Sequence, residues 1–183
     1  ASKAAADHLV SAFHKSFNLP ISIVRPFNTF GPRQSLRAVI PSIALQIINN
    51  SSVNIGSLGP KRDFTYVNDT VNGIIKIHES KITEGKVLNI GSGFSISIGE
   101  IIEVCSKIIG KKVKIIVDKK RIRPTNSEVD HLLCDNSQAK KFIKWKSQCK
   151  NKKGLESSLR QFIKWLNDKD NLKFYKNSFD YII

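Results

Sequence analysis

Arg62 and Arg123 are arginines in loop-flanked positions, where a side chain of this type could grip an anion. A guanidinium offers planar paired donors and a permanent charge, whereas a lysine offers a point charge, so a bridging diphosphate favours arginine. The competing readings are a solvated surface arginine or an ion pair, for Arg62 with Asp63 or Asp69. Asn28 carries an amide that both donates and accepts, which suits a hydroxyl or phosphate oxygen; it is equally suited to turning the chain into Gly31-Pro32. Lys3 falls in the first turn of a helix, where a lysine considered alone is solvated. His8, His14, His78 and His131 stand apart from one another and from cysteine, with no metal-ligand spacing. Gly91-Ser92-Gly93 has Ile96 where the third glycine of G-x-G-x-x-G belongs, so it reads as a turn and not as a phosphate cradle.

The elements that must position these groups alternate. Ala5, Leu9, Val10, Phe13 and Phe17 recur at helical spacing, and Asn18-Leu19-Pro20 ends that helix. Ile21 to Arg25 reads as a short buried strand, which Pro26 bars from continuing as a central ladder strand. A loop through Gly31-Pro32 leads to a helix begun near Pro41 and closed by Asn49-Asn50-Ser51-Ser52. Val53 to Ile55 supplies a brief strand, Gly56 to Pro60 a loop, and Asn68 or Asp69 a cap for a helix carrying Val71, Ile74, Ile75 and His78. Val87 to Ile90 is a further strand. Ser97 with Glu100 three residues on is a capping-box signature, and Gly110 closes the helix that follows. Val113 to Val117 predicts a strand, Asp135 a cap for a helix reaching Trp145, and Leu155 to Leu166 a last amphipathic helix. Strands alternating with helices predict an α/β fold with mostly parallel pairing. The apolar faces around Ile21–Val24 and Val87–Ile90 are expected to pack against protein outside these residues.

Composition narrows the classes. The chain has 183 residues, 40% hydrophobic and 25% charged, enough for one domain with a sizeable core. No apolar run approaches a membrane span, and the start lacks the order of a secretory signal, so a cytoplasmic site of action is expected. Cys105, Cys134 and Cys149 are odd in number and widely spaced, which favours neither a disulfide framework nor a zinc site. Thirty Lys+Arg against fifteen Asp+Glu give a net charge of +15. The lysine pairs at 111–112, 119–120, 140–141 and 152–153 are scattered and lack basic–aromatic interleaving, so they read as a solvated surface and not as a nucleic-acid platform.

Taken together, Arg25 to Arg33, Ala38-Val39-Ile40-Pro41, Lys61 to Asp69, and Arg121-Ile122-Arg123-Pro124 with Ser127-Glu128-Val129 resemble the extended short-chain dehydrogenase/reductases, and among them the nucleotide-sugar epimerases and 4,6-dehydratases. Within that family the likeness is nearest to the N-acetylhexosamine nucleotide 4,6-dehydratases of legionaminic acid-type pathways. The resemblance covers Ala1 to about Trp165. It implies the later part of a Rossmann-type parallel sheet (about 1–30 and 61–95), a smaller α/β substrate-binding region (about 31–60 and 96–167) and a loose tail (168–183). It implies NAD or NADP as cofactor, a nucleotide-diphosphate sugar as ligand and a homodimer in the complete enzyme. Lys3 matches the lysine of a Tyr-x-x-x-Lys motif, where it bonds the nicotinamide ribose and its cation lowers the tyrosine pKa. Pro26 and Phe27 match positions beside the nicotinamide, and Asn28 a substrate contact. Arg62 and Arg123 match the diphosphate-gripping arginines, Val39 the nucleotide-side main chain and Glu128 the nucleoside ribose. The matching tyrosine and dinucleotide fingerprint of the family precede Ala1. The 183 residues alone are therefore expected to be inactive, with a 4-epimerase or a non-catalytic basic binding module as the alternatives to a dehydratase.

Overall fold

The computed structural model describes residues 1–122, 124 and 127–176. In chain order the elements are α1 (Ser2–Phe17), β1 (Ile23–Pro26), β2 (Asn28–Phe30), α2 (Val39–Asn49), β3 (Ser52–Ile55), β4 (Lys61–Tyr66), α3 (Val67–His78), β5 (Val87–Ile90), β6 (Ser95–Ser97), α4 (Ile98–Ile109), β7 (Lys114–Val117), β8 (His131–Leu132), α5 (Ser137–Ile143), α6 (Lys152–Leu166) and α7 (Lys169–Lys176). Three-residue 3₁₀ turns lie at Lys81–Thr83 and Lys119–Arg121. The expected α/β class with mostly parallel pairing is what forms. β1 pairs with β5, β2 with β4, β3 with β7 and β8 with β4, all parallel, and only β6 runs antiparallel to β4 among the described strands.

β4 is the hub of the largest sheet, and no strand was expected there. Its opening residues Lys61-Arg62-Asp63 hide the alternation, because the inward position is a charge. Asp63 is fully buried and accepts from Ser92 N (2.8 Å), Ser92 Oγ (2.6 Å), Gly93 N (2.8 Å) and Cys134 N (3.1 Å). A buried carboxylate is tolerated when its lone pairs are filled in this way. The bonds draw the Gly91–Gly93 turn and the segment at Cys134, just past His131–Leu132, onto β4.

Pro26 does lie in β1, at its last position, opposite Ile90. Ile23 N donates to Lys86 O and Phe27 N to Ile90 O, so the alternation turns the nitrogen of Pro26 to the other edge, where no donor to β5 is missed. Asp69 falls inside the first turn of α3 and does not cap it; the N-cap is Tyr66. The Asp69 carboxylate is taken instead by Ser147 Oγ and Gln148 N, both at 2.7 Å. Likewise Asn136 and not Asp135 is the N-cap of α5, although Asp135 Oδ1 accepts from Ser137 N.

The α2, α4 and α6 helices and the inner faces of β2 and β4 form one apolar core around Ile43, Leu45, Ile101, Leu159 and Phe162. The α4 helix has the expected boundaries: Ser97 and Glu100 form a reciprocal capping box, and Gly110 closes it in the left-handed region at φ 78°. A second cluster joins Ile77, Leu88, Ile90, Ala139, Ile143 and Trp145. One face of β5 is thus covered from within the chain, contrary to expectation. The large apolar side chains left at the surface include Leu9, Phe13 and Phe17 on α1 and Val71, Ile74 and Ile75 on α3.

Of the loose tail expected over 168–183, the part at 169–176 is corrected, and 177–183 lie outside the described residues. Residues 169–176 form α7, Leu172 packs against the main core, and Tyr175 is only 2% exposed. Its ring meets Trp165 edge-on at 6.1 Å, and Asn171 Nδ2 donates to Trp165 O. The residues that sequence periodicity left unassigned here are recruited by Trp165.

Candidate functional site

A cleft of about 540 Å³ opens beside β2 and β4. Asn28, Thr29 and Phe30 of β2 and Arg62 and Phe64 of β4 form its floor; Gln34, Arg37 and Ala38 from the following loop and Val39 and Ile40 of α2 form one wall. Ile55 to Ser57, Pro60, Ile98, Arg121 and Glu128 complete it. The loop wall is shaped by close approach. A Cβ on Gly31 would lie 2.5 Å from Val67 Cγ1, so only glycine lets the chain turn there against α3. Opposite, a Cβ on Gly56 would meet Arg121 O at 2.5 Å, and the absent side chain is what brings the Lys119–Arg121 turn to the rim.

Four of the expected ligand-side residues, Asn28, Val39, Arg62 and Glu128, line this cleft together. Arg123 lies outside the described residues. Lys3, Pro26 and Phe27 do not line the cleft; they belong to the α1 and β1 side. Lys3 is exposed in the first turn of α1, and α1 is fastened to β1 by Arg25, whose Nε (2.9 Å) and Nη2 (2.6 Å) both donate to Asp7 Oδ2. Phe27 is half-buried at the end of β1.

Arg62 pairs with neither Asp63 nor Asp69. Its Nη2 donates to Glu128 Oε1 at 2.6 Å, and its Nη1 donates to Lys61 O at 2.9 Å and to Val129 O. The two side chains are only 15% and 19% exposed, so the pair is screened less than a surface ion pair. Glu128, expected to face a ribose, here orients the guanidinium. An anion arriving at Arg62 either shares it with Glu128 or takes the place of that carboxylate.

Asn28 Nδ2 and Gln34 Oε1 are buried without a partner among the described residues. Such atoms are costly to leave unpaired, about 1–3 kcal/mol each. The terminal amide torsion is broad and soft, so a small rotation turns either one towards a ligand in the cleft. Gln34 Nε2 already donates to Thr29 O at 2.7 Å, which leaves the carbonyl end to be satisfied.

Sequence reasoning missed Gln34, Arg37 and Arg121. Gln34 directly follows the Arg25–Arg33 run, and Arg121 stands two residues before Arg123, so both were within reach of a reading that asked which neighbours shared a loop. Arg121 Nε pairs with Asp118 Oδ2 at 3.4 Å, which sets it at the rim. Among the described residues the charged lining is Arg37, Arg62, Arg121 and Glu128, a net positive set beside the amides of Asn28 and Gln34, chemistry that suits an anion. Among the described residues no group of His, Cys, Asp and Glu is placed to hold a metal, and no helix is long and apolar enough to cross a membrane.

Residues 1–158 match the family model described as GDP-mannose 4,6 dehydratase. A UDP-glucuronate 4-epimerase of Thermodesulfobacterium geofontis is 30% identical over 179 residues, which are 97% of this chain and 52% of that protein. A dTDP-D-glucose 4,6-dehydratase of Dictyostelium discoideum is 39% identical over 111 residues, 60% of this chain and 24% of that one. Among solved structures, the UDP-glucuronic acid 4-epimerase of Bacillus cereus, in complex with UDP-glucuronic acid and NAD, superposes with a TM-score of 0.76 at 30% identity, covering 90% of this chain and 51% of the other. The chain thus spans about half the length of the first of these relatives.

Proposed function

The chain belongs to the GDP-mannose 4,6 dehydratase family of nucleotide-sugar-modifying proteins, and we propose that its cleft holds the nucleotide-diphosphate sugar of an NAD(P)-dependent 4,6-dehydratase. The observation that carries this reading is Arg62, fixed by Glu128 in a cleft where Asn28 Nδ2 has no partner among the described residues. Arg62, with Arg121 at the rim, offers charge-assisted bonds to the diphosphate, and Asn28 offers a donor to a sugar or phosphate oxygen. Arg123 is assigned the same diphosphate role by its place in the Arg121–Pro124 run, and the main chain at Val39 faces the nucleotide.

On the cofactor side, the exposed ammonium of Lys3 and the half-buried ring of Phe27 beside Pro26 fit the nicotinamide end of a dinucleotide: a cation for a ribose hydroxyl and an apolar surface for a ring. NAD or NADP supplies a reversible hydride acceptor when bound. Lys3 is assigned the role of the lysine in the family's Tyr-x-x-x-Lys motif, whose charge lowers the pKa of the motif's phenol, while Asn28 and Arg62 hold the sugar nucleotide in place.

A 4-epimerase is the second reading, favoured by the names of the T. geofontis and B. cereus proteins. N-acetylhexosamine nucleotides are the first substrates to try, on the strength of the Arg121–Pro124 and Ser127–Val129 runs. A homodimer belongs to the same reading, supported by the apolar residues that α1 and α3 leave at the surface, and a cytoplasmic setting by three cysteines that remain unpaired. The protein as its gene encodes it is incubated with UDP- and GDP-linked N-acetylglucosamine and NAD or NADP, and the products are weighed. A dehydratase yields a keto sugar lighter by one water; an epimerase yields an isomer of unchanged mass. Arg62→Ala is expected to weaken nucleotide-sugar binding by about 2–4 kcal/mol, whereas Lys112→Ala, outside the cleft, leaves it unchanged. Equal sensitivity to both changes refutes the cleft as the diphosphate site.

A further inference from the structure

The loop from Gly31 to Ala38, which forms a wall of the cleft, is held mostly by short-range bonds. Gln34 N donates to Gly31 O (3.3 Å), Ala38 N donates to Ser35 O (3.0 Å) and Gln34 Nε2 to Thr29 O (2.7 Å). Arg33 adopts the left-handed region at φ 65°, where a residue other than glycine is uncommon and must be held by its surroundings. One tether comes from far along the chain. Tyr175 Oη donates to Gln34 O at 2.9 Å across 141 residues.

The donor is built for that bond. Tyr175 is 2% exposed, its ring is set edge-on against Trp165, and burial pushes its phenol above the ordinary tyrosine value, so it stays a neutral O–H donor. α7 in turn is locked to α6 through Asn171 and to the core through Leu172. The bond links the helical core to Gln34, a residue that lines the cleft and whose Oε1 is buried without a partner among the described residues.

We propose that Tyr175 is a positioning residue of the cleft: by fixing the main chain of Gln34 it sets the Gly31–Ala38 wall and with it the affinity for the nucleotide sugar. The inference rests on the nucleotide-sugar reading of the cleft. Its test is Tyr175→Phe, which keeps the ring and removes only the hydroxyl, made in the protein as its gene encodes it. The probes are UDP-N-acetylglucosamine and GDP-N-acetylglucosamine for the cleft, and NAD for the cofactor side proposed at Lys3, Pro26 and Phe27, which do not line the cleft.

One net hydrogen bond corresponds to a loss of roughly threefold to tenfold in affinity for the nucleotide sugar, with NAD affinity unchanged. An unchanged affinity for the nucleotide sugar overturns the proposal, as does an equal loss for NAD, which marks general destabilisation. A wild-type protein that binds neither sugar nucleotide overturns the nucleotide-sugar reading and this inference together. A second measurement needs no variant. In wild-type protein, saturating UDP-N-acetylglucosamine should slow hydrogen exchange in residues 31–38 and in 169–176 together, and protection confined to residues 31–38 refutes the coupling.

Discussion

Replacing Asp63 by asparagine changes one oxygen to an amide nitrogen at the centre of four donated bonds. If the amide oxygen stays with Ser92, the new NH₂ faces the N–H groups of Gly93 and Cys134, donor against donor. If the amide is turned over, Ser92 N faces the NH₂, although the Ser92 hydroxyl can rotate to accept. Either way at least one buried backbone N–H loses its partner, and the surviving bonds lose their charge assistance. An unpaired buried donor costs about 1–3 kcal/mol and a charge-assisted bond is worth about 1.5–3 kcal/mol, so about 2–5 kcal/mol of stability is lost. Asp69 is the control. It is also buried, but one oxygen takes both donors, Ser147 Oγ and Gln148 N, and an asparagine oxygen can take them too. Asp69→Asn should cost only about 1–2 kcal/mol, from lost charge assistance and the first-turn charge of α3. Urea unfolding of the two variants at neutral pH, followed by circular dichroism, compares the midpoints. The reasoning is refuted if Asp63→Asn is no more destabilised than Asp69→Asn.

Ser97→Ala removes the hydroxyl half of the α4 capping box and should cost about 1 kcal/mol at neutral pH. Bonds from the Ser97 main chain and side chain hold Glu100 below the usual carboxylate value, so this contribution is present above the unfolded pKa and fades as pH falls through the folded one; denaturant midpoints should therefore converge in acid, and a gap that widens there contradicts the assignment. Burial pushes the Cys105 and Cys134 thiols up to about 12 and also raises Cys149, so a thiol reagent at mildly alkaline pH should label none of the three in the native protein and all of them in denaturant; labelling of the native fold at the unfolded rate would overturn this.

The helix with both boundaries written in side-chain chemistry, α4, was fully legible, whereas the carboxylate caps read at Asp69 and Asp135 were not. The capping box of α4 and its closing glycine are local, and local signals survive folding. The strands around the cleft were less legible. β2 is three residues long, and β4 opens on three charged residues, one of them turned inward because distant Ser92, Gly93 and Cys134 satisfy it. No window on the sequence contains those partners. Asn28, Val39, Arg62 and Glu128 were legible as a set because each stands in a run that resembles the nucleotide-sugar epimerases and dehydratases, and the fold brings them to one cleft. The Arg62–Glu128 pairing was not legible, since 66 residues separate them. Tyr175 escaped notice for the same reason: its value lies in Trp165 on one side and Gln34 on the other.

The juxtaposition of Arg62 and Asp63 in β4 also fixes how that strand can be threaded. Successive side chains of a strand leave on opposite faces, so sliding β4 by one position would thrust a guanidinium among the N–H groups of Ser92, Gly93 and Cys134 and turn the carboxylate out beside Glu128. Both contacts would set like against like. Because β2, β6 and β8 all take their alignment from β4, two neighbouring charges of opposite sign act as a lock on the threading of the whole sheet, and the arginine that faces the cleft helps to ensure that it can only face the cleft.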